Sequence, residues 1–215
     1  MSAGNSALVA AVEATWTALR KAEPSLPQIT VALAAGNKPN AKVYGHFAPD
    51  RWVSDEGKTH ELFIGGEALK DGADQLFATI LHEAAHALAH AEGAKDTSRQ
   101  GRYHNKTFRQ YAERMGFATV ELPDKKLGYS DGAATDAAQM KHGPRIAKLA
   151  AALSAHRVAE PGKDGRKSNN NGVVAECECA EPRKIRLSRK VYELGPIKCG
   201  ICRAKFTTEE PDEEE

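Results

Sequence analysis

The sequence predicts an α+β protein that ends in a small cysteine-bearing β segment. Apolar residues recur at helical spacing in four stretches, short β-prone runs separate the first two stretches, and all four cysteines lie between residues 177 and 202. A chain of 215 residues is long enough for one domain of ordinary size and a small appendage.

The first helix is expected at residues 6–21, and Pro24 and Pro27 end it. A small sheet is expected next, from three β-prone runs bounded by turn-forming residues: 29–34, 41–47 and 61–64. Three further helices are expected: residues 73–92 before Gly93, residues 102–115 before Gly116, and residues 135–157 with a break or kink at Gly143-Pro144.

Composition and charge divide the chain into segments. Residues 161–206 carry 11 basic and 5 acidic residues, whereas residues 207–215 carry six acidic residues and no basic one. The polar run before the cysteines has almost nothing to bury, which predicts a flexible linker, and the acidic end predicts a disordered tail. The expected segments are a first domain at 1–130, a helical extension at 131–160, a linker at 161–172, a cysteine-bearing domain at 173–207 and a tail at 208–215.

The chain shows no targeting or membrane signal. Its first residues have no basic stretch ahead of an apolar run, which argues against a signal peptide. No stretch approaches the ~20 apolar residues that a membrane span requires. We therefore expect a soluble, cytoplasmic protein without membrane partners, in which cysteines stay reduced and serve metal ions.

The most informative motif is H-E-x-x-H at residues 82–86. On a helix of ~3.6 residues per turn, His82 and His86 lie about 40° apart around the axis, so both imidazoles can bind one ion. Glu83 lies beside that ion, where it can act as the general base of a zinc hydrolase. So short a pattern also arises by chance, and on the motif alone an Ala-rich core helix with hydrogen-bonded histidines is the alternative.

A catalytic zinc has three protein ligands and one open position, so a third ligand is needed. His90 lies about 12 Å along the helix axis from His82, which is too far for one ion to bind both residues and His86. Glu92 occupies the place of the third histidine of metzincins, which excludes that class.

Two candidates remain in the following helix. Glu113 lies in mid-helix, where an i,i+4 ion pair with Arg109 accounts for it equally well. His104 lies at the start of that helix. With Gly101 and Phe108 it forms the pattern Gly-x-x-His-x-x-x-Phe. An H-E-x-x-H helix followed by this pattern resembles the SprT-like metalloprotease family, over roughly residues 7–129.

The resemblance implies a zincin-like fold and a catalytic zinc held by the two motif histidines and His104. It also implies that substrate binds along an edge strand ahead of the motif helix. Residues 61–64 are the expected counterpart, although an ordinary half-buried strand explains them as well. Tyr103 and Tyr111 could stabilise an oxyanion, but packing roles are favoured for both.

The cysteines form two close pairs, as a tetrahedral four-thiolate zinc site requires: Cys177, Cys179, Cys199 and Cys202. The first pair is C-x-C, so one of its members could be a weaker ligand. We expect a zinc ribbon in which a structural zinc supplies the stability that so small a core cannot. A disulfide-bonded segment is the alternative. The resemblance also implies a ribbon after the protease domain.

This segment is also basic. Lys and Arg recur at residues 183–190 and, in the linker, at 163–167, and they could neutralise nucleic-acid phosphates or simply form a solvated face. Tyr192 and Phe206 are its aromatic residues. Sequence-specific recognition of DNA bases is therefore not expected.

Two functions are consistent with these patterns. One is a metallopeptidase with one catalytic and one structural zinc that hydrolyses peptide bonds of protein substrates, which the resemblance extends to proteins associated with DNA. The other is a non-catalytic module that binds nucleic acid or protein and in which both zinc sites are structural. Glu83 distinguishes them, because a scaffold has no chemical need for it.

Overall fold

The computed structural model describes residues 4–38, 41–158 and 172–208. It confirms the predicted α+β class and divides the chain into two compact units, Met1–Glu160 and Pro161–Glu215. Except for Gly172 and Thr208, the predicted linker and acidic tail lie outside the described residues. Within the described ranges, no helix combines the length and the apolar character that crossing a membrane would need.

The first unit packs helices against short strands. In chain order its elements are α1 (Gly4–Ala22), β1 (Ile29–Ala34), β2 (Asn37–Lys38), β3 (Ala41–Lys42), β4 (Gly45–Ser54), β5 (Gly57–Gly65), a 3₁₀ helix (Gly66–Asp71), α2 (Gly72–Ala91), β6 (Thr97–Ser98), β7 (Tyr103–His104), α3 (Lys106–Met115), β8 (Phe117–Thr119), β9 (Gly132–Ala134) and α4 (Asp136–Ala152).

The main sheet has the order β1-β5-β4. β5 pairs in parallel with β1 and antiparallel with β4, so β5 is central and β4 is an edge strand. The prediction that residues 61–64 form the edge strand was therefore wrong. The parallel pairing with β1 covers the second edge of β5, and no local sequence pattern reveals such a long-range crossover.

α2 lies at the centre of the first unit, where it packs against α1, α3, α4 and β4. Its alanines allow this close packing, since small side chains let neighbouring elements approach the helix. The alanines on its buried faces are fully enclosed: Ala84, Ala85, Ala87 and Ala89. The motif therefore lies on a helix that is held from several sides.

Two helix boundaries differ from the prediction. α3 begins at Lys106 instead of residue 102, because the Asn105 side chain caps the helix by accepting hydrogen bonds from the N–H groups of Thr107 and Phe108. The preceding residues form β7, which pairs with β6. His104 thus lies in a short strand just ahead of the helix.

α4 continues through Pro144 without the predicted break. Proline has no N–H to donate to the carbonyl one turn earlier in the helix. Because Pro144 is exposed, water can donate to that carbonyl instead. Buried residues on both sides of it, His142 and Leu149, anchor the two halves of the helix.

The second unit contains β10 (Gly172–Glu176), β11 (Lys184–Ser188) and the short helix α5 (Arg189–Glu193). β10 and β11 form an antiparallel hairpin. Its small core consists of Ala175, Cys177, Cys199 and Phe206. Two of the four cysteines are therefore part of that core.

Candidate functional site

Three histidine rings converge at one point of the first unit. The Nε2 atoms of His82, His86 and His104 lie 3.1–3.3 Å from one another. α2 supplies the first two rings and β7 supplies the third. Phe108 of α3 packs against all three rings, with ring centroids 4.6–4.7 Å apart. The structure thus brings these three predicted ligands together in a group that could hold a metal ion.

A loop after β8 fixes the position of His104. The His104 N–H donates to the Leu127 carbonyl at 2.9 Å, and the Tyr129 N–H donates to the His104 carbonyl at 3.0 Å. Gly128 makes this approach possible, since its φ is +72° and a Cβ there would lie 2.0 Å from the His104 carbonyl oxygen. The Leu127 carbonyl also lies 3.2 Å from His104 Nδ1, so that nitrogen carries the proton and Nε2 is left for a metal.

Asp96 determines which ring nitrogen of His86 carries the proton, as the Leu127 carbonyl does for His104. Its Oδ2 lies 2.5 Å from His86 Nδ1, which leaves Nε2 directed at the other two rings. The Asp96 carbonyl also accepts the N–H of Asn105, the cap of α3. Sequence analysis missed Asp96, because it lies beyond the end of the motif helix and no fixed spacing relates it to the motif.

Burial favours the neutral form of the His82 and His104 imidazoles. It lowers the pKa of His82 well below its usual range, and the neighbouring His86 and His104 lower it further. Burial and His86 also lower the pKa of His104, to about 4. Neutral imidazoles offer a lone pair at neutral pH, as metal ligation requires.

Glu83 lies between the histidines and β4. It is 5% exposed, and its Oε2 accepts a hydrogen bond of 2.8 Å from the Phe47 N–H. Burial raises its pKa above the ordinary value. Gly45 lets β4 approach, because a Cβ there would lie 2.8 Å from Thr79 Cγ2 and 2.9 Å from the Phe63 carbonyl oxygen.

Two cavities adjoin the three histidines. One has a volume of about 510 Å³ and the other about 480 Å³. Gly45, His82, Glu83 and His104 line both cavities, which makes them two arms of one cleft. We call the larger the Asp131 arm; its other lining residues are Val43, Tyr44, Gln75, Ala78, Thr79, Phe117, Ser130, Asp131 and Gly132. We call the smaller the Asp96 arm; its other lining residues are His46, Phe47, Pro49, His86, His90, Asp96, Thr97 and Gly101.

The alternative ligands do not join the three histidines. The ring of His90 packs against Phe47 and His60, with ring centroids 5.8 Å and 5.4 Å away. Glu113 forms the expected ion pair with Arg109, at 2.9 Å. The exclusion of His90 as a ligand therefore agrees with the structure, and of the two explanations left open for Glu113 the structure shows the ion pair.

Neither tyrosine considered for an oxyanion belongs to the cleft lining. Tyr111 donates its hydroxyl hydrogen bond to Glu92 at 2.8 Å, and Glu92 also pairs with Arg114 at 3.0 Å. The guanidinium of Arg99 lies 4.7 Å from the ring centroid of Tyr103. The packing roles favoured for both tyrosines are therefore what the structure shows.

The four cysteines meet in the second unit. Their sulfur atoms all lie within 4.8 Å of one another, and the Sγ atoms of Cys179 and Cys199 are 3.8 Å apart. The Arg183 N–H donates to the sulfur of Cys177 at 3.3 Å. Hydrogen bonds from the backbone N–H groups of Ile201 and Cys202 lower the pKa of Cys199 to about 6. This group, too, could hold a metal ion.

The site is thus a cleft with three converging histidines and one buried carboxylate, and a separate group of four thiols lies in the second unit. Any assignment of function rests on these two groups. No model of a known family, no curated protein and no solved structure matches this chain.

Proposed function

We propose that the protein is a zinc-dependent metallopeptidase of the SprT-like type that hydrolyses peptide bonds in protein substrates. The observation that carries this proposal is the place of Glu83, a buried carboxylate that lines both arms of the cleft beside the three histidines. Burial of its charge is unfavourable, as its raised pKa indicates. A purely structural metal site would not need it, so a non-catalytic module is the less favoured alternative.

Zinc suits both donor sets. Tetrahedral zinc with Zn–N bonds of about 2.0–2.1 Å places its nitrogen ligands about 3.3 Å apart, and the three Nε2 atoms are 3.1–3.3 Å apart. With Zn–S bonds of about 2.3 Å, the sulfur atoms lie about 3.8 Å apart, which equals the separation of Cys179 and Cys199 Sγ, 3.8 Å. Three histidines leave a fourth position for catalysis, whereas four thiolates fill a structural site.

The chain's own residues divide the work as follows. The three imidazoles would hold a zinc ion, which would supply the Lewis acidity that activates water and polarises the substrate carbonyl. Glu83 accepts a proton from the attacking water on the oxygen that the Phe47 N–H leaves free, and it then donates that proton to the leaving amine. Asp96 and the Leu127 carbonyl hold the rings of His86 and His104 in place.

We place the substrate along β4. It is an edge strand that runs past the cleft at Gly45 and Phe47, and an exposed sheet edge can accept an extended peptide as a further strand. Residues 45–48 thus replace residues 61–64 as the proposed edge strand along which the substrate binds. A motif helix packed against a small sheet whose edge lines the cleft supports a zincin-like architecture.

We further propose that the second unit recruits substrates associated with DNA, by contact with phosphates. Its basic side chains are exposed: Arg183, Lys184, Arg186, Arg189 and Lys190. Phe206 is buried and Tyr192 packs against the core of the unit, so neither ring is presented for stacking on bases. Four free thiols suit a reducing compartment such as the cytoplasm.

The test is an assay with zinc-loaded full-length protein and an unfolded protein substrate, with and without single-stranded DNA. We expect cleavage that stops when a chelator removes zinc and returns when zinc is restored. We expect DNA to accelerate cleavage of a DNA-bound substrate. Failure to cleave under any of these conditions would overturn the peptidase proposal, and equal rates with and without DNA would overturn only the DNA role.

A further inference from the structure

We propose that the Asp131 arm of the cleft is a subsite for a cationic substrate side chain, Lys or Arg, and that Asp131 sets this preference. The inference rests on the proposed peptidase function and names its substrate class. The subsite lies next to the scissile bond, since the Asp131 arm includes His82, Glu83 and His104.

The acidic residues that line this arm are Glu83, which serves as the base, and Asp131. Among the described residues of the lining, none is Lys or Arg. The Asp131 side chain is exposed. In the part of the chain that the structure describes, no cation forms an ion pair with it. A substrate cation is the partner that would complete this arrangement.

The Asp96 arm differs in this respect. The carboxylate of Asp96 is engaged by His86 at 2.5 Å, and the ring of His46 lies 3.3 Å from Glu61. The Asp96 carboxylate of that arm is thus already bound to the His86 ring. Among the described residues that line the two arms, Asp131 is thus the carboxylate outside the catalytic group that forms no ion pair, and the two arms differ in the charge they offer a substrate.

The wall that carries Asp131 is held firmly. The Asp131 carbonyl accepts the Val120 N–H at 3.0 Å, and the following β9 pairs with β8. A Cβ on Gly132 would lie 2.2 Å from the Ala118 carbonyl oxygen, so the two strands are in close contact. A carboxylate on a fixed wall can select a side chain at low entropic cost.

The arm also has the size and polarity for a long cationic side chain. Its volume of about 510 Å³ lies within the range of ligand pockets. The carboxylate of the exposed Asp131 is a hydrogen-bond acceptor suited to the ammonium or guanidinium group of such a side chain.

Matched peptides test the subsite. One series carries a single Lys at successive positions around the cleavage site, and the second carries acetyl-lysine at the same positions, which keeps the aliphatic stem and removes the charge. For zinc-loaded wild-type protein we expect kcat/KM to be about fivefold to tenfold higher with Lys at one position near the scissile bond. We expect Asp131→Asn to remove this ratio and Asp131→Lys to invert it.

Glu121→Gln is the matched control, since it removes one exposed negative charge outside the lining. It should leave the ratio unchanged. A ratio near one in wild type, or a ratio that survives in Asp131→Asn, overturns the subsite and leaves the peptidase proposal intact. If neither series is cleaved, the peptidase proposal fails; fluorescence anisotropy then decides the subsite, because tighter binding of Lys peptides that depends on Asp131 supports it and equal binding of both series overturns it.

Discussion

Nδ1 of His86 lies 2.5 Å from Oδ2 of Asp96, and both side chains are largely shielded from solvent, at 17% and 15% exposure. The carboxylate determines which ring nitrogen carries the proton, and so it directs Nε2 of His86 toward His82 and His104. An acidic residue outside the motif thereby completes the geometry that the motif alone only suggests.

We expect Asp96→Ala to lower the zinc affinity of the three-histidine site by about 10-fold to 100-fold, because the His86 ring loses its orienting partner. Competition with a chromophoric chelator measures this affinity. Glu113→Gln is the control, as it removes one carboxylate of an exposed ion pair on α3. Unchanged zinc affinity in Asp96→Ala, or an equal loss in Glu113→Gln, would contradict the role given to Asp96.

Glu83→Gln should stabilise the metal-free first unit at neutral pH. Burial raises the pKa of Glu83 in the folded state above its ordinary value of 4.5. The wild-type protein therefore loses stability as pH rises from 4.5 through the raised pKa, because the buried carboxyl must ionise. Gln keeps the oxygen that accepts the Phe47 N–H. We expect a Tm increase of about 2–4 °C, corresponding to about 1 kcal/mol.

The pH dependence provides the check on that increase. Well below pH 4.5, Glu83 of the wild-type protein is protonated in both the folded and the unfolded state. The Tm increase of Glu83→Gln over the wild-type protein should therefore vanish there. Trp16 and Trp52 are the two tryptophans of the chain and both lie in the first unit, so tryptophan fluorescence follows that unit. A Tm difference that is constant with pH would speak against a buried charge at residue 83.

Gly45→Ala should damage both stability and activity. The added Cβ would lie 2.8 Å from Thr79 Cγ2 and 2.9 Å from the Phe63 carbonyl oxygen, so β4 must shift relative to α2, which carries Glu83, and to β5. We expect a loss of about 1–3 kcal/mol in the free energy of unfolding and a drop of about tenfold or more in kcat/KM.

Denaturant unfolding and peptide cleavage measure the two effects of Gly45→Ala. Gly143→Ala is the control, since its added Cβ in α4 meets no atom within 4 Å apart from its neighbours along the helix. That substitution should leave kcat/KM at the wild-type value. Wild-type activity in Gly45→Ala would show that the close approach of β4 is not needed.

The two metal sites should be separable. We expect two zinc ions in the wild-type chain, one in Cys199→Ser and one in His104→Ala, by elemental analysis of purified protein. Loss of the thiolate-bound zinc should unfold the second unit and leave the tryptophan fluorescence of the first unit unchanged. Two zinc ions in His104→Ala would show that another residue is the third ligand.

The sequence predicted what local periodicity and motif spacing determine. The motif helix and the strand at residues 29–34 agree closely with α2 and β1, and the three histidines meet. The central place of β5 depends on a parallel pairing across the chain, which local patterns do not encode. Asp96 lies after a turn whose path is set by packing, so its contact with His86 could not be inferred from spacing.

Backbone groups account for other differences. The group that holds Glu83 is the backbone N–H of Phe47. Every non-proline residue has such a group, so the sequence cannot mark this one, and it acts here because β4 places it beside Glu83. Pro144 stays within α4 because the helix is anchored on both sides, which overrides the local tendency to break.

The most direct test of the central claim is the rate at which zinc-loaded wild-type protein and Glu83→Gln, prepared in parallel, hydrolyse an unfolded protein substrate. Mass spectrometry of the products should show new peptide ends for the wild-type protein. The variant should carry the same two zinc ions and the same fold, and its rate should be at least about 100-fold lower. Equal hydrolysis by the two proteins would contradict the assignment of Glu83 as the base, and with it the mechanism proposed for this cleft.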